Sequence, residues 1–287
     1  MLITDAQVHI YEPDTPGRPW PKEAGRTKAP AKHANGFSAS EMLAAMEAVG
    51  VGRAVIVPPV WAGDDNGPAL AAAAKHPGRF AVMGRIDPYA KETPALLEHW
   101  LEQPHMIGIR MSGRWKTTPK LVFEALADPA LEEYWSACER LGIPHMLLTS
   151  RIASKLEPIA KRHPKLTLIV DHLSVQHAAS VAEAFVAFND LVALARNPNV
   201  FIKVGNGPNV SRQAYPFEDV HSYLRGIYDA FGARRMLWEA DFTQLTKNTY
   251  AECLRLWQEG LPFLSAEDKE WILGRTAAEV LKWPENA

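Results

Sequence analysis

The chain has 287 residues, of which 47% are hydrophobic and 22% charged, and its formal net charge is −2. This length suits a single α/β barrel, and the near-neutral charge gives no sign of a nucleic-acid or membrane partner. The two cysteines, Cys138 and Cys253, are too few for a disulfide framework or a cysteine-rich metal site and fit a reducing compartment. The first residues show no basic leader with a long apolar stretch, so we expect a cytoplasmic protein.

Short apolar runs alternate with longer amphipathic segments along the chain. The first run, residues 2–10, precedes a loop over 11–37 that is rich in proline, glycine and basic residues. Ser38 with Glu41 three residues later forms a capping-box pattern, which predicts a helix over 39–49. Further strands are predicted over 53–58, 80–86, 106–111, 144–149, 166–171, 200–204 and 236–240. Further helices are predicted over 67–76, 94–102, 131–141, 152–163, 180–196, 217–231, 250–259 and 266–283.

The predicted strands are continuous apolar runs, a pattern typical of parallel strands that are covered on both faces. Eight strand–helix units predict a single-domain (β/α)8 TIM barrel over residues 1–287, with loop 11–37 as a lid or rim. The alternative is an open doubly wound sheet of six or seven strands. The first strand lacks the Gly-x-Gly-x-x-Gly pattern that often follows it in such folds, which favours the barrel.

Chemistry in such a barrel takes place at the carboxyl ends of the strands. Gln7 and His9 lie two residues apart on the first strand, so they should face the same way. Asp171 and His172 end the sixth strand, and alternation predicts that only one of them faces the pocket. Asp241 ends the eighth strand. Each strand end also has a purely structural explanation. Gln7 and His9 could be a polar pair that closes the barrel, His172 a buried hydrogen-bonded histidine, and Asp241 an N-cap for the next turn. Together they predict a site.

Two cations lie on other strands. Arg110 ends the fourth strand, where a guanidinium group suits a substrate carboxylate. The alternative for Arg110 is a salt bridge to a strand-end carboxylate such as Asp87. Lys203 lies inside the seventh strand, and we expect it to be a buried partner of Asp171 or Asp241 rather than a catalytic group.

Four motifs in this order resemble the amidohydrolase superfamily, in particular its amidohydrolase 2 branch. They are Asp-Ala-Gln-Val-His at 5–9, Ile-Val-Asp-His-Leu at 169–173, Arg-Met-Leu-Trp-Glu-Ala-Asp at 235–241 and Ile-Leu-Gly-Arg-Thr-Ala-Ala at 272–278. That branch includes sugar-acid lactonases and the metal-independent 2-pyrone-4,6-dicarboxylate hydrolase. The resemblance implies a TIM barrel with one site at its carboxyl end.

The chain departs from the pattern of the family at several metal-binding positions. Gln7 stands where the family has the first histidine of a His-x-His pair, and a neutral amide is a poor ligand for a transition metal. The fourth and fifth strands offer no histidine at their carboxyl ends, and Glu239 stands where glycine is usual. His9, His172 and Asp241 could hold one divalent metal such as zinc, or could act without metal. The missing ligands favour a site without a cofactor.

The resemblance implies a hydrolase that opens a carboxylated lactone or pyrone ring by attack of water. The predicted roles are general base for Asp241, polarisation of the carbonyl for His9 and His172, and substrate binding for Arg110, Gln7 and Asn206. One alternative is a metal-dependent decarboxylase of the same superfamily, and another is a non-catalytic barrel that binds a small anion. The expected partner is a small carboxylated molecule, and a homo-oligomer is compatible with the sequence.

Overall fold

The structure, a computed structural model, describes residues 1–20, 33, 35–113, 115, 122–176 and 178–283. Its eight parallel strands pair in chain order, each with the next, as predicted for a TIM barrel. The strands are β1 Thr4–Val8, β2 Arg53–Ile56, β3 Phe80–Gly84, β4 Met106–Met111, β5 His145–Leu147, β6 Leu168–Val170, β7 Val200–Lys203 and β8 Met236–Leu237. Their side chains are almost all buried, because helices cover the outside of the sheet and the inside is packed.

Backbone and side-chain hydrogen bonds join the first strand to the segment that follows the last one. The N–H of Ala6 donates to the carbonyl oxygen of Trp238 over 2.9 Å. The carboxylate of Asp5 accepts the N–H of Ala240 over 3.1 Å. On the other side, the N–H of Trp238 donates to the carbonyl oxygen of Ile272 over 2.9 Å. These bonds bring the carboxyl ends of β1 and β8 together in a nearly closed barrel.

Most of the helices in the described ranges are shorter than the sequence predicts. They are α1 Ala39–Val49, α2 Gly67–Lys75, α3 Thr93–Glu98, α4 Val122–Ala125, α5 Glu132–Leu141, α6 Glu157–Arg162, α7 Val181–Ala184, α8 Phe188–Ala193, α9 Gly207–Val210, α10 His221–Phe231, α11 Tyr250–Arg255, α12 Ala266–Glu270 and α13 Thr276–Val280. None of these helices is long and apolar enough to cross a membrane.

Two of the predicted helices differ for identifiable reasons. The helix predicted over 152–163 becomes a 3-10 turn followed by α6, and Pro158 lies in the first turn of α6, where its missing N–H costs nothing. The helix predicted over 180–196 is interrupted between α7 and α8. Phe185, at the interruption, stacks on Tyr223 of α10 with 4.2 Å between the ring centroids. Tertiary packing therefore coincides with this break.

The helix α1 begins and ends where the sequence predicts. The side chain of Ser38 accepts the N–H of Glu41 over 3.2 Å, and the carboxylate of Glu41 accepts the N–H of Ser38 over 2.8 Å. Gly50 ends the helix with φ of 77°, in the left-handed region that suits glycine. The capping box and the glycine thus fix both ends of α1.

The predicted lid begins and ends at an antiparallel bridge between Tyr11 and Phe37. Their backbone N–H and carbonyl groups bond in both directions, over 3.0 and 2.9 Å. Residues 21–32 and 34 of this loop lie outside the described residues, so its role as a lid or rim stays a prediction.

Candidate active site

His9 and Asp241 meet at the carboxyl end of the barrel. His9 directly follows β1, and its Nδ1 lies 2.6 Å from the carbonyl oxygen of Val57, so Nδ1 carries a hydrogen. The other ring nitrogen, Nε2, lies 3.2 Å from Oδ1 of Asp241. The side chains of His9 and Asp241 are 5% and 13% exposed, so the contact is shielded but can be reached by a small molecule. The sequence prediction that these two strand ends converge is therefore confirmed.

Asp241 has an unusual backbone and an acidic carboxyl group. Its φ of 48° and ψ of 49° lie in the left-handed region, and its side chain makes no capping bond to the turn that follows. Asp241 thus occupies the N-cap position of the turn that follows, as the alternative expected, but its side chain does not cap that turn. Burial would raise the pKa of Asp241, but the hydrogen bond and charge of His9, with a smaller contribution from the charge of Arg110, lower it to about 2. The group is a carboxylate at neutral pH.

His172 lies in a chain of four buried side chains that come from four different strand ends. Nζ of Lys203 donates to Oε1 of Gln7 over 2.6 Å. Nε2 of Gln7 lies 3.1 Å from Nε2 of His172, and Nδ1 of His172 lies 2.8 Å from Oε1 of Glu239. Glu239, to which the sequence assigned no role, is thus the partner of His172. Both ring nitrogens of His172 are engaged, so a bond from His172 to a substrate requires one of these partners to move.

Asp171 and His172 both take part in the buried cluster, so the expectation that only one of them faces inward is wrong. The alternation of side chains holds only within a strand, and β6 ends at Val170. From His172 to Ser174 the backbone has positive φ angles, which are 53° at His172 and 52° at Ser174. This turn brings two neighbouring side chains to the same side.

Asp171 joins the two cations that the sequence singled out. Its Oδ1 lies 2.8 Å from Nζ of Lys203, and its Oδ2 accepts a hydrogen bond from Nε of Arg110 over 2.9 Å. Burial opposes the charge, but Lys203 and Arg110 outweigh it and hold the pKa of Asp171 well below its usual range. The expected partner of Lys203 is confirmed. Arg110 does form a salt bridge to a strand-end carboxylate, as the alternative for this residue expected, but its partner is Asp171 rather than Asp87.

Asp5 lies deeper, below the site. Its Oδ1 accepts the N–H groups of Gln7 and Ala240 over 3.0 and 3.1 Å, and its Oδ2 accepts the hydroxyl of Tyr250 over 2.8 Å. Burial, with a smaller contribution from the charge of Glu239, raises the pKa of Asp5 to about 7 even though these bonds favour the ionised form. Asp5 thus connects β1 to the backbone after β8 and carries a poorly tolerated charge.

The end of β7 contributes a close backbone contact and an amide. A Cβ atom at Gly205 would lie 1.3 Å from the carbonyl oxygen of Glu239, so only glycine allows this approach. The next residue, Asn206, is half-buried, and its Oδ1 accepts a hydrogen bond from Asn209 over 2.8 Å. Asn206 therefore lies at the strand end that was predicted for it, with its amide oxygen already engaged.

Arg85 is a buried cation that the sequence analysis missed. It directly follows β3 and is 2% exposed. Its Nε donates to Asp64 over 3.0 Å, and its Nη1 donates to the hydroxyl of Ser112 over 2.7 Å. The available signal was a charged residue at the end of an apolar run. It was missed because the predicted strand continued past Arg85 to residue 86.

A cavity of about 500 Å³ lies at the carboxyl ends of β1, β2 and β3, but its described lining does not include His9 or Asp241. Its described lining includes Ile10, which directly follows His9, together with the aromatic side chains of Tyr11, Trp20 and Trp115 and the guanidinium group of Arg85. This volume lies within the range of sites that enclose small molecules, roughly 300–1,000 Å³.

The geometry of the described residues does not fit a divalent metal. Nε2 of His9 and Oδ1 of Asp241 lie 3.2 Å apart, but Nε2 of His172 lies against the amide of Gln7. Only two donors remain, whereas a catalytic zinc site has about three protein ligands. Accordingly, the described residues contain no group of three or more His, Cys, Asp or Glu side chains arranged to hold a metal.

An eight-stranded parallel barrel with ionisable side chains gathered at its carboxyl end is the arrangement found in TIM-barrel enzymes. A family model described as amidohydrolase (Amidohydro_2) matches residues 4–283, so the chain belongs to this family. The resemblance inferred from the four motifs is confirmed, and so is the prediction of an enzyme from this family.

Two curated relatives have similar sequences. The L-fucono-1,5-lactonase of Burkholderia ambifaria is 28% identical over 198 residues, which cover 67% of this chain and 65% of the relative. The 4-sulfomuconolactone hydrolase of Hydrogenophaga intermedia is 25% identical over 241 residues, which cover 83% of this chain and 73% of that protein.

Solved structures share the fold at lower sequence identity. An amidohydrolase from Burkholderia multivorans with bound zinc has a TM-score of 0.78 and 21% identity, over 99% of this chain and 100% of that one. A protein from Acinetobacter baumannii described as a probable 2-pyrone-4,6-dicarboxylic acid hydrolase, with citric acid bound, has a TM-score of 0.77 and 15% identity, over 98% and 100%. These likenesses confirm the TIM barrel.

Proposed function

We propose that this protein is a hydrolase that opens a carboxylated lactone or pyrone ring, with Asp241 as the general base for water. The observation that carries the proposal is the contact of 3.2 Å between Oδ1 of Asp241 and Nε2 of His9. A carboxylate and an imidazole that meet at the open end of a barrel can divide the reaction between them. One takes a proton from water while the other supports the charge that develops on the carbonyl oxygen.

Binding of the substrate would strengthen the base. The low pKa of Asp241 depends on the hydrogen bond and charge of His9 together with other charges such as that of Arg110. If the carbonyl oxygen of the substrate takes over the Nε2–H of His9, the hydrogen bond to Asp241 is lost and its pKa rises. A carboxylate with a higher pKa is a better acceptor for a proton of water. The base is therefore strongest when the substrate is in place.

The proposed reaction proceeds in two steps through a tetrahedral intermediate. The oxygen of water forms a bond to the carbonyl carbon while Asp241 takes a proton, and the negative charge on the former carbonyl oxygen is held by His9. The ring C–O bond then breaks, and the proton held by Asp241 goes to the leaving oxygen. His172 would join in polarising the carbonyl only if Gln7 turned away from its Nε2 and that nitrogen carried a hydrogen, so we assign the first contact to His9.

Arg110 is the proposed anchor for a carboxylate of the substrate. Its Nε is bonded to Asp171, which holds the planar guanidinium group in one orientation. Its charge also acts on Asp241, which places the cation within electrostatic reach of the base. Gln7 and Asn206 would complete the polar contacts.

The size of the available effects favours a lactone over an amide. General-base help is worth about 10²–10⁴-fold in rate, and one donor to the developing oxyanion adds roughly 10²–10³-fold. Those factors suffice for a ring ester, which is already activated. The relatives named for lactone hydrolysis point to the same substrate class.

The test is a substrate panel with the wild type and Asp241→Asn. The panel holds L-fucono-1,5-lactone, 4-sulfomuconolactone, 2-pyrone-4,6-dicarboxylate and a neutral lactone, assayed for acid release with and without a chelator. We expect hydrolysis of at least one carboxylated ring by the wild type, and a loss of roughly 10²-fold or more in kcat for Asp241→Asn. Asp229→Asn is the matched control, because Asp229 is 52% exposed and pairs with Arg225 on α10.

Three outcomes would contradict the proposal. Full hydrolytic rate in Asp241→Asn would remove the base assignment. Activity that disappears with the chelator and returns with zinc would replace the cofactor-free mechanism. Release of carbon dioxide from an aromatic or enoic acid, without ring opening, would favour the decarboxylase alternative.

A further inference from the structure

Lys203 is a fully buried ammonium group with two partners and no direct contact with the His9–Asp241 pair. It is 0% exposed, it donates to Oε1 of Gln7 over 2.6 Å, and it lies 2.8 Å from Oδ1 of Asp171. The proposed reaction gives Lys203 no part. A buried lysine of this kind is costly unless it is paired, so its pairing with a neutral amide calls for an explanation.

The ammonium group fixes which way the amide of Gln7 points. An ammonium group has only donors, so the atom of Gln7 that faces Lys203 is the amide oxygen. The opposite end of the amide, the NH2 group, is then the one that lies 3.1 Å from Nε2 of His172. An NH2 group can only donate, and Nε2 of His172 must therefore accept through a lone pair.

The same reasoning fixes the proton on His172. If Nε2 accepts, the hydrogen of the neutral ring lies on Nδ1, which is 2.8 Å from the carboxylate oxygen of Glu239 and donates to it. Burial opposes a charge on His172, but Glu239, Asp241 and Asp171 raise its pKa. The amide of Gln7 acts against that charge, because an imidazolium would bring two N–H donors face to face.

We propose that Lys203 is a positioning residue that, through the amide of Gln7, fixes the proton of His172 on Nδ1 and keeps Nε2 as an acceptor. Lys203 thereby keeps a second cation from forming next to Asp241, so that the base is governed by His9. The consequence for catalysis rests on the proposed function, but the position of the proton does not. It can be measured without any substrate.

The experiment is nitrogen NMR of the full chain with labelled histidine side chains. The signals of His172 are assigned by their loss in His172→Gln. In the wild type at neutral pH we expect one protonated nitrogen, Nδ1, and one bare nitrogen, Nε2. In Lys203→Met the amide of Gln7 is free to turn its oxygen towards His172, and both ring nitrogens should become protonated. Lys75→Met, at the exposed end of α2, is the matched control and should leave these signals unchanged.

A second variant keeps the inference testable if Lys203→Met does not fold. Gln7→Glu retains an oxygen for Lys203 and presents the other oxygen to His172, so both ring nitrogens should be protonated while the buried ion pairs stay intact. A wild-type His172 with its proton on Nε2, or on both nitrogens, overturns the proposal. So does a folded Lys203→Met or Gln7→Glu protein in which the His172 signals match those of the wild type. If the NMR result holds but no lactone is hydrolysed, only the proposed function fails.

Discussion

Replacement of Asp5 by asparagine should change how the stability of the barrel depends on pH. Burial raises the pKa of Asp5 from its ordinary value of 3.8 to about 7. The folded protein therefore binds one more proton than the unfolded chain between these two values, and its stability falls as the pH rises. One pKa unit corresponds to about 1.4 kcal/mol, so ionisation of Asp5 should cost the folded state about 4 kcal/mol above pH 7.

Asparagine can keep most of the contacts of Asp5. Its amide oxygen can accept the N–H groups of Gln7 and Ala240, and its NH2 group can donate to the hydroxyl oxygen of Tyr250. It has no charge to lose or gain. We therefore expect Asp5→Asn to be less stable than the wild type, or equal to it, near pH 4, and to gain on the wild type steadily up to about pH 8.

Urea unfolding measured from pH 4 to pH 9 provides the assay, provided that unfolding is reversible at each pH. The quantity of interest is the difference in free energy of unfolding between Asp5→Asn and the wild type, in which the titration of all other groups cancels. A difference that stays constant across this range would refute the reasoning, since it would mean that Asp5 has the same pKa in the folded and unfolded states.

Three further variants test separate contacts. Arg110→Met should raise KM for carboxylated rings but not for a neutral lactone, and should lower the free energy of unfolding by roughly 3 kcal/mol because Asp171 keeps only one cationic partner; an equal effect on both substrates would remove the anchoring role. Gly205→Ala should cost about 3 kcal/mol in urea unfolding, because the added methyl group would overlap the carbonyl oxygen of Glu239. Ser38→Ala should cost about 1 kcal/mol through loss of the α1 cap while leaving hydrolysis unchanged; a change in kcat would show that α1 influences the site.

The sequence by itself determined the barrel and the ends of the strands that carry the site. Continuous apolar runs separated by amphipathic segments indicate parallel strands covered by helices, and eight such units favour the barrel, in which the site lies at the carboxyl ends of the strands. Because these signals are local, they were sufficient to select His9, His172 and Asp241 as candidates and to predict that Lys203 pairs with Asp171 or Asp241. Local signals also fixed the start of α1.

The tertiary structure alone decided which side chains are partners. Glu239 pairs with His172, and Asp171 rather than Asp87 pairs with Arg110, because the register of strands far apart in the chain sets these distances. The positive φ angles after β6 likewise turn two adjacent side chains the same way, which alternation along a strand could not predict. The sequence pattern of one segment shows only which of its residues share a face. The orientation of a side-chain amide, and the nitrogen of an imidazole that carries the proton, depend on atoms contributed by other strands.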